Sequence, residues 1–325
     1  MNNAYALCLL LVAGAGSFAI AADYERKPDR ASVAGLMLEE IDLQPDATQR
    51  LSALEAFVAR YPKHPSANWA WDQIRSQAVS ASQWDKVAAI SQRMLEANPE
   101  DSKSALVLLD AAERANDPAK LIKALEIAET VAELVIADKT RASKDDAGKQ
   151  RLGHARTLAA RAEATRLKVM VQDVEPSRRL ALLDGFDKRY PNSPAAAVVP
   201  LLKAASLWML SDAAARPAAQ QAAKSLPESE DALFLSLAST IAQEPEQESV
   251  AAQALWLLET LQRKPKPACA PDADWNRKRD AYLRTSHVAL ALSAGLRGDF
   301  HLARRGFSAA SAYAEGNATA VAALA

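Results

Sequence analysis

The feature that most constrains the fold is the stretch 68–133, in which a helix-turn-helix pattern occurs twice with a spacing of 34 residues. In each copy, an apolar helical pattern is followed by a short polar turn and a second apolar helical pattern. The matched positions are Ile74 and Leu108, Val87 and Leu121, Met94 and Ala128, and the turns 82–83 and 116–117. A repeat of this length with two helices predicts helical hairpins that stack on one another.

The composition favours an all-helical chain. Half of the 325 residues are apolar but only 6% are aromatic, and most of the apolar residues are Ala and Leu, which are strong helix formers. Only 10 glycines occur, and runs of β-branched residues are nearly absent, so we expect no strands.

The charge balance argues against a nucleic-acid partner. Lys and Arg number 39 and Asp and Glu 40, whereas nucleic-acid binders usually carry a basic stripe. The densest basic cluster comprises residues 277–279 with Arg263, Lys264 and Lys266. Because it flanks a Pro-rich segment, we interpret it as the solvated edge of a loop.

The first 21 residues have the features of a secretory signal. The segment 4–21 is apolar and uncharged, is interrupted by Gly14 and Gly16, and ends in a small-x-small site at Ala21. We expect cleavage after Ala21, a linker at 22–30, and a periplasmic or secreted protein. A transmembrane anchor is the competing interpretation, because about 18 apolar residues are close to the minimum for a span. After cleavage Cys269 is the remaining cysteine, which excludes an intrachain disulfide.

A second internal symmetry relates residues 51–65 to residues 180–194, at an offset of 129 residues. Both segments contain the phrase Phe-x-x-Arg-Tyr-Pro-x-x-Pro, which begins at Phe57 in the first and at Phe186 in the second. We therefore predict a tandem duplication, with modules at 31–173 and 174–316 and a tail at 317–325.

Hydrophobic periodicity predicts the individual helices. In the first module we expect a helix that begins at Asp29, a second that ends near Arg60, the two hairpins described above, and a long helix at 150–171. In the second module we expect helices at 177–190, 195–210, 214–225, 230–243, 248–263, 274–296 and 300–314.

These motifs resemble those of tetratricopeptide-repeat proteins exported by Gram-negative bacteria. The 34-residue period and the order Gly298-Asp299-Phe300, Ala303, Phe307 are typical of such repeats. The Phe-x-x-Arg-Tyr-Pro-x-x-Pro phrase is similar to that in envelope repeat proteins of the outer-membrane assembly type.

The resemblance implies an all-α, right-handed superhelical solenoid of antiparallel helix pairs. Such a solenoid would bind a protein or peptide partner of the cell envelope on its concave face, as a scaffold or adaptor. Two departures from the family occur. Arg75 replaces a usual glycine or alanine, which implies that its helix pair splays, and the Lys/Asn pattern that clamps a C-terminal carboxylate in some members is missing.

No motif in the sequence indicates catalysis, a metal or a cofactor. No two of the four histidines have the i, i+3 or i+4 spacing of a helical metal pair, and no nucleophile elbow or phosphate-binding glycine loop occurs. We expect His64 to be a solvated turn residue, His301 to be exposed, and His154 and His287 to be structural. The chain is thus not expected to be an enzyme, although a hydrolase without a local motif stays open.

A second alternative is a module that holds glycan for the peptidoglycan-processing machinery. The Ala-rich helices are similar in composition to the helical ring domain of lytic transglycosylases. Exposed aromatic side chains along the groove would favour glycan, whereas mixed polar residues around one or two anchors would favour a peptide.

Five residues form the candidate partner-binding strip: Trp69, Asp72, Lys103, Asp110 and Glu113. We expect the core to contain Trp71, Trp84 and Trp256. Trp69 lies two residues from Trp71, which points it elsewhere on the helix, toward the concave groove if the family geometry applies. An aromatic among polar groups is typical of a binding hot spot. The alternative is that Trp69 packs against the preceding hairpin at Phe57 or Tyr61.

Overall fold

The computed structural model describes residues 32–138, 146–267 and 270–313, and all regular structure within these ranges is helical. The prediction of an all-helical chain without strands is therefore confirmed for these residues. The α-helices of this part are α1 Val33–Leu43, α2 Ala47–Arg60, α3 Ala67–Ser80, α4 Trp84–Ala97, α5 Ser102–Arg114, α6 Pro118–Ala137, α7 Asp146–Val171, α8 Pro176–Arg189, α9 Val199–Met209, α10 Ala215–Ser225, α11 Glu230–Gln243, α12 Ser249–Arg263, α13 Asp272–Leu296 and α14 Phe300–Ser311.

The helix boundaries follow the predicted ones closely, and the differences have local causes. Helix α1 begins at Val33, where the Ser32 side chain accepts a hydrogen bond from the Gly35 N–H at 3.0 Å and so caps the helix. The predicted start at Asp29 lies outside the described residues. The helix predicted at 195–210 is a 3₁₀ turn, Pro194–Val198, followed by α9. Pro200 at the second position of α9 lacks an N–H and cannot continue an α-helix from the preceding turn.

Short polar side chains cap several of the hairpin helices. At several N-termini the N-cap side chain accepts hydrogen bonds from backbone N–H groups two or three residues further on. These caps are Asp46, Asp101, Asp117, Ser229 and Asp299. These caps satisfy backbone N–H groups that have no partner within the helix and so fix where each of these helices begins.

The described chain divides into two compact units, one that extends to Thr165 and one that starts at Arg166. In the first unit the successive helices from α1 to α6 pack on one another. Because short turns connect these helices, successive helices run in opposite directions and form hairpins. The apolar cluster of α1 to α4 includes Leu38, Leu54, Phe57, Ile74 and Met94, all of which are almost completely buried.

Polar contacts also join alternate helices of the first unit. The ties are Lys86 Nζ to Glu55 Oε1 at 2.6 Å between α4 and α2, Lys120 Nζ to Asp85 Oδ1 at 2.9 Å between α6 and α4, and Arg75 Nη1 to Ser104 Oγ at 2.9 Å between α3 and α5. These ties thus join α2 to α4, α4 to α6, and α3 to α5, that is, helices at the same position in neighbouring hairpins. Stacked hairpins require this arrangement.

The second unit repeats the same kind of packing. Successive helices from α8 to α14 contact each other, and α11 also contacts α9 and α13. The core is built largely of leucine and alanine, with Leu201, Leu237, Leu257 and Ala254 almost completely buried. Small residues permit the closest approach, since a Cβ added to Gly306 of α14 would lie 2.9 Å from the Ala291 Cβ of α13.

The repeated Phe-x-x-Arg-Tyr-Pro phrase forms the same local structure in both units. Phe57 and Tyr61 pack with ring centroids 5.6 Å apart at 45°, and Phe186 and Tyr190 with centroids 4.9 Å apart at 44°. Each tyrosine ends its helix with nearly the same backbone angles, φ −129° and ψ 57° in one and φ −127° and ψ 58° in the other. In both, the preceding arginine lies over the tyrosine ring.

Candidate functional site

The predicted strip residues all lie in the first unit, Trp69 and Asp72 on α3 and Lys103, Asp110 and Glu113 on α5. Asp110 and Glu113 are three residues apart and so share a face of α5. Both meet Arg161 of α7, whose Nη2 lies 3.6 Å from Asp110 Oδ1 and also contacts Glu113 Oε2. The Thr165 hydroxyl donates a hydrogen bond of 2.9 Å to Glu113 Oε1.

The charges of Arg161 and of the adjacent Arg114 both act on Asp110, but only Arg161 is in ion-pair contact with it. Two carboxylates face one guanidinium, and the Asp110 side chain is 46% exposed whereas that of Glu113 is 14% exposed. Burial raises the pKa of Asp110, and the Glu113 charge adds to that effect, while the attraction of Arg161 opposes it without cancelling it. Asp110 is therefore an acid in reach of solvent whose ionised form is incompletely compensated.

A second polar chain joins α3 to the start of α5. The guanidinium of Arg75 is buried and donates to Asp72 Oδ1 at 2.5 Å and to Ser104 Oγ at 2.9 Å. Ser104 Oγ in turn donates to Asp101 Oδ2 at 2.7 Å. Helix α3 packs on α4, and the Arg75 guanidinium extends to α5, where Ser104 accepts its hydrogen bond.

Trp69 lies half-buried against the apolar cluster of α1 to α4, which also includes Phe57 and Tyr61. This position corresponds to the packing alternative considered for Trp69. Lys103 is half-buried in the first turn of α5, after the Asp101 cap. The structure thus brings Asp110 and Glu113 together with Arg161, and places Asp72 in the Arg75 chain.

The other tryptophans differ from one another in burial. Trp71 and Trp84 are half-buried, with the Arg93 guanidinium 5.3 Å above the first ring and the Arg114 guanidinium 4.6 Å above the second. The prediction that Trp256 belongs to the core is wrong, since this side chain is 40% exposed. The buried face of α12 is formed by Val250, Ala254, Leu257 and Leu261, and position 256 lies off that face.

A buried ionic cluster in the second unit was not predicted. Glu230 and Asp231 form the first turn of α11 and are 2% and 9% exposed. Lys278 Nζ of α13 lies 2.9 Å from Glu230 Oε1 and 2.8 Å from Asp231 Oδ1. Lys264 also binds Glu230 through Oε2, and the Tyr282 hydroxyl donates to Asp231 Oδ1.

The members of the ionic cluster shift one another's pKa values. Burial raises the pKa of Asp231, more than Lys278 lowers it. Burial would raise the pKa of Glu230 as well, but Lys278 and Lys264 outweigh it and lower that pKa. The pKa of Lys278 is raised, because the two carboxylates outweigh the effect of burial. Each carboxylate is occupied by partners inside the fold, so the cluster ties α11, α13 and the end of α12 together.

The interpretation of the basic segment as a solvated loop edge is wrong for Lys264 and Lys278, which form this cluster. Their neighbours Lys266 and Arg277 pair with Asp272 and Asp274. The sequence contained a signal for the acids of the cluster but not for its lysines. Acids in a first helical turn are stabilised by the helix dipole. Their lysine partners lie 34 and 48 residues away, so no local spacing could identify them.

Two of the histidines, His64 and His287, pack against aromatic side chains. The prediction of a solvated His64 is wrong: the ring is half-buried, packs edge-on against Phe57 at 5.4 Å, and accepts a hydrogen bond from the Ser66 N–H through Nδ1. His301 is exposed, as expected. His287 stacks on Tyr313 with centroids 5.8 Å apart, and burial lowers its pKa.

Within residues 32–138, 146–267 and 270–313, no three His, Cys, Asp or Glu side chains are grouped so as to hold a metal ion. Nor does any helix in these ranges combine the length and the apolar character needed to cross a bilayer. The predicted signal sequence and Cys269 lie outside the described residues.

No protein-family model matches this sequence, and no curated protein matches it significantly.

Proposed function

We propose that the protein is a non-catalytic scaffold or adaptor of the bacterial cell envelope, and that its first unit binds a basic peptide segment of a protein partner. The observation that carries this proposal is the group formed by Asp110, Glu113 and Arg161, in which two acids share one guanidinium at a partly open position. A lysine or arginine of the partner would pair with Asp110, whose side chain is 46% exposed.

The helix order supports a shared binding surface. Helices α3, α5 and α7 are joined by the Arg75–Ser104 and Arg161–Glu113 contacts and so form one row. We take each unit to be a right-handed stack of tetratricopeptide-like helix pairs, in which such a row lines the concave surface. An extended peptide along this row would meet Asp72, Lys103 and Asp110 in turn.

The energetics favour a basic ligand at Asp110. A new charge-assisted hydrogen bond contributes about 1.5–3 kcal/mol, and the neighbouring Glu113 charge adds attraction for a cation. The raised pKa of Asp110 implies that a bound cation would also stabilise its ionised form. Binding should therefore be stronger at neutral pH than in acid, because the carboxyl group must be deprotonated.

The glycan-holding alternative is favoured by one observation in the second unit. Trp256 is 40% exposed and adjacent to Leu255, which is 57% exposed, and an exposed tryptophan offers a face for sugar rings. The strip of the first unit has the composition expected of a peptide site, because Trp69 is half-buried and the surrounding groups are charged. The two functions would therefore respond to different substitutions, Asp110→Lys for peptide and Trp256→Ala for glycan.

The test uses the purified chain and an array of extended peptides that differ only in charge. We expect lysine- and arginine-containing peptides to bind and their glutamate counterparts not to bind. Asp110→Lys should weaken binding about tenfold or more, since it replaces attraction by repulsion next to Arg161. The matched control is Glu133→Lys, which changes an exposed acid of α6 in the same unit. Equal weakening by both variants, or equal binding of acidic peptides, would contradict the proposal.

The envelope location rests on the signal-like segment 1–21. In-cell crosslinking with a photoreactive residue at position 103, followed by mass spectrometry, should capture an envelope protein on this surface. Crosslinked peptidoglycan fragments in place of protein would support the glycan alternative.

A further inference from the structure

The last hairpin of the second unit carries an exposed apolar and basic surface, which we call the terminal-hairpin patch. Its members are Leu296, Arg297, Phe300, Leu302, Arg304 and Arg305. Phe300 is 74% exposed, Leu296 60% and Leu302 47%. Three large apolar side chains within seven residues are thus in contact with solvent.

The exposure follows from how α14 is anchored. Gly298 adopts a positive φ of 81° in the turn, and Asp299 caps α14 by accepting a hydrogen bond of 2.9 Å from the Leu302 N–H. The helix packs on α13 through Ala303 and Ala310, which are buried. Phe300 lies outside this packed face, so its exposure is a property of a well-anchored helix.

The charges of the patch are also uncompensated. Arg297, Arg304 and Arg305 are exposed, and none of them forms an ion pair with a described residue. The nearest acid in sequence, Asp299, uses its carboxylate for the helix cap. Basic residues at the start of α13 differ in this respect, since Arg277 and Lys278 pair with acids.

We infer that the terminal-hairpin patch docks onto an anionic lipid surface. Aromatic and aliphatic side chains of an amphipathic helix insert at the boundary between headgroups and acyl chains. Arginine guanidinium groups bind lipid phosphates in a bidentate manner and are attracted by the negative surface potential. On α14, Phe300 shares a side with Arg304 four residues on, and Leu302 shares another with Arg305 three residues on, so each apolar side chain has an arginine next to it. The binding is independent of the peptide strip on the first unit.

Other occupants fit the patch less well. A second copy of the patch would bring two sets of three unpaired arginines together, which is repulsive in a symmetric interface. A nucleic acid would use the arginines but would leave Phe300 and the two leucines without apolar contacts. A lipid surface satisfies the apolar and the charged groups at once.

The experiment measures co-sedimentation of the full chain with vesicles that contain phosphatidylglycerol and with pure phosphatidylcholine vesicles. We expect binding to the anionic vesicles only. The Arg304→Gln/Arg305→Gln double variant should lower the partition coefficient about thirtyfold, because each surface arginine contributes roughly a factor of five. Phe300→Ser should lower it about tenfold through lost apolar insertion.

The matched control is Arg156→Gln/Arg178→Gln, which removes the same net charge at two exposed positions on α7 and α8. It should retain most of the binding, and far-UV circular dichroism should show equal helicity for all variants. Equal loss in both double variants would overturn the inference, since only overall charge would then matter. Equal binding to neutral vesicles, or dimerisation through the patch without vesicle binding, would overturn it as well.

Discussion

Replacement of Lys278 by methionine is the sharpest test of the buried ionic cluster. Methionine keeps most of the length and volume of lysine but removes the ammonium group. That group lies 2.9 Å from Glu230 Oε1 and 2.8 Å from Asp231 Oδ1. Both acids remain buried in Lys278→Met, and Lys264 remains as the cation that contacts Glu230.

The expected loss is about 3–5 kcal/mol of unfolding free energy, the usual result of removing one partner of a buried ion pair. The lysine side chain is 9% exposed, and the acids are 2% and 11% exposed at the side chain. Solvent therefore has little access to the uncompensated carboxylates. Asp231 suffers most, because of the cluster members only the Tyr282 hydroxyl then still donates a hydrogen bond to it.

The loss should depend on pH in a defined direction. The lowered pKa of Glu230 gives stability that is present above the ordinary carboxyl pKa and is lost as pH falls through the lowered value. The raised pKa of Lys278 gives stability that is present below the ordinary lysine pKa and is lost as pH rises through the raised value. The raised pKa of Asp231 changes stability in the opposite direction to that of Glu230, because protonation of Asp231 at low pH favours the folded state.

In Lys278→Met the raised pKa of Asp231 should rise further and the lowered pKa of Glu230 should rise toward its ordinary value, because the Lys278 charge is gone. Protonation of these acids as pH falls should then recover part of the lost stability, so the difference from the wild type should be smaller at about pH 5 than at about pH 7.

Urea denaturation followed by far-UV circular dichroism measures this difference, with Lys224→Met as the control at an exposed position of α10. The control should change stability by less than about 0.5 kcal/mol. A loss below about 1 kcal/mol for Lys278→Met, or a loss that is the same at both pH values, would refute the reasoning.

Glycine, histidine and tryptophan positions give three further tests. Gly306→Ala should destabilise by about 1–3 kcal/mol through overpacking against Ala291, whereas Gly185→Ala, with open space around it, should stabilise by about 0.5–1 kcal/mol; thermal melting distinguishes the two. NMR titration of His287 should give a pKa below that of an ordinary histidine, so stability from this group is lost as pH falls through the ordinary value. Trp69→Ala should cost about 2 kcal/mol of stability, since the half-buried ring packs on the core of the first unit; unchanged melting would instead support a role in binding alone.

Much of the fold could be predicted because helix formation is local. The periodicity of apolar residues and the turn chemistry at 82–83 and 116–117 lie within one helical hairpin, so the sequence shows them directly. The same is true of the Phe-x-x-Arg-Tyr-Pro phrase, whose contacts are made within one helix end. The Ser32 cap that starts α1 is a local contact of the same kind.

The candidate site was only partly predictable. Asp110 and Glu113 share a helix face by their spacing, but their partner Arg161 lies 48 residues from Glu113. The burial of Trp256 was predicted wrongly because a helix with several apolar residues does not reveal by itself which face meets its neighbours.

The sequence by itself determined the helical class, the hairpin lengths and the positions of the turns, since these depend on residues a few positions apart. The tertiary structure alone decided which charged residues are buried and which aromatic rings are exposed. Lys264, Lys278 and Tyr282 bind acids that lie 34 to 51 residues away, and no local spacing in the sequence marks these contacts. Burial is a property of distant contacts, because water is excluded by whichever helix packs against a side chain.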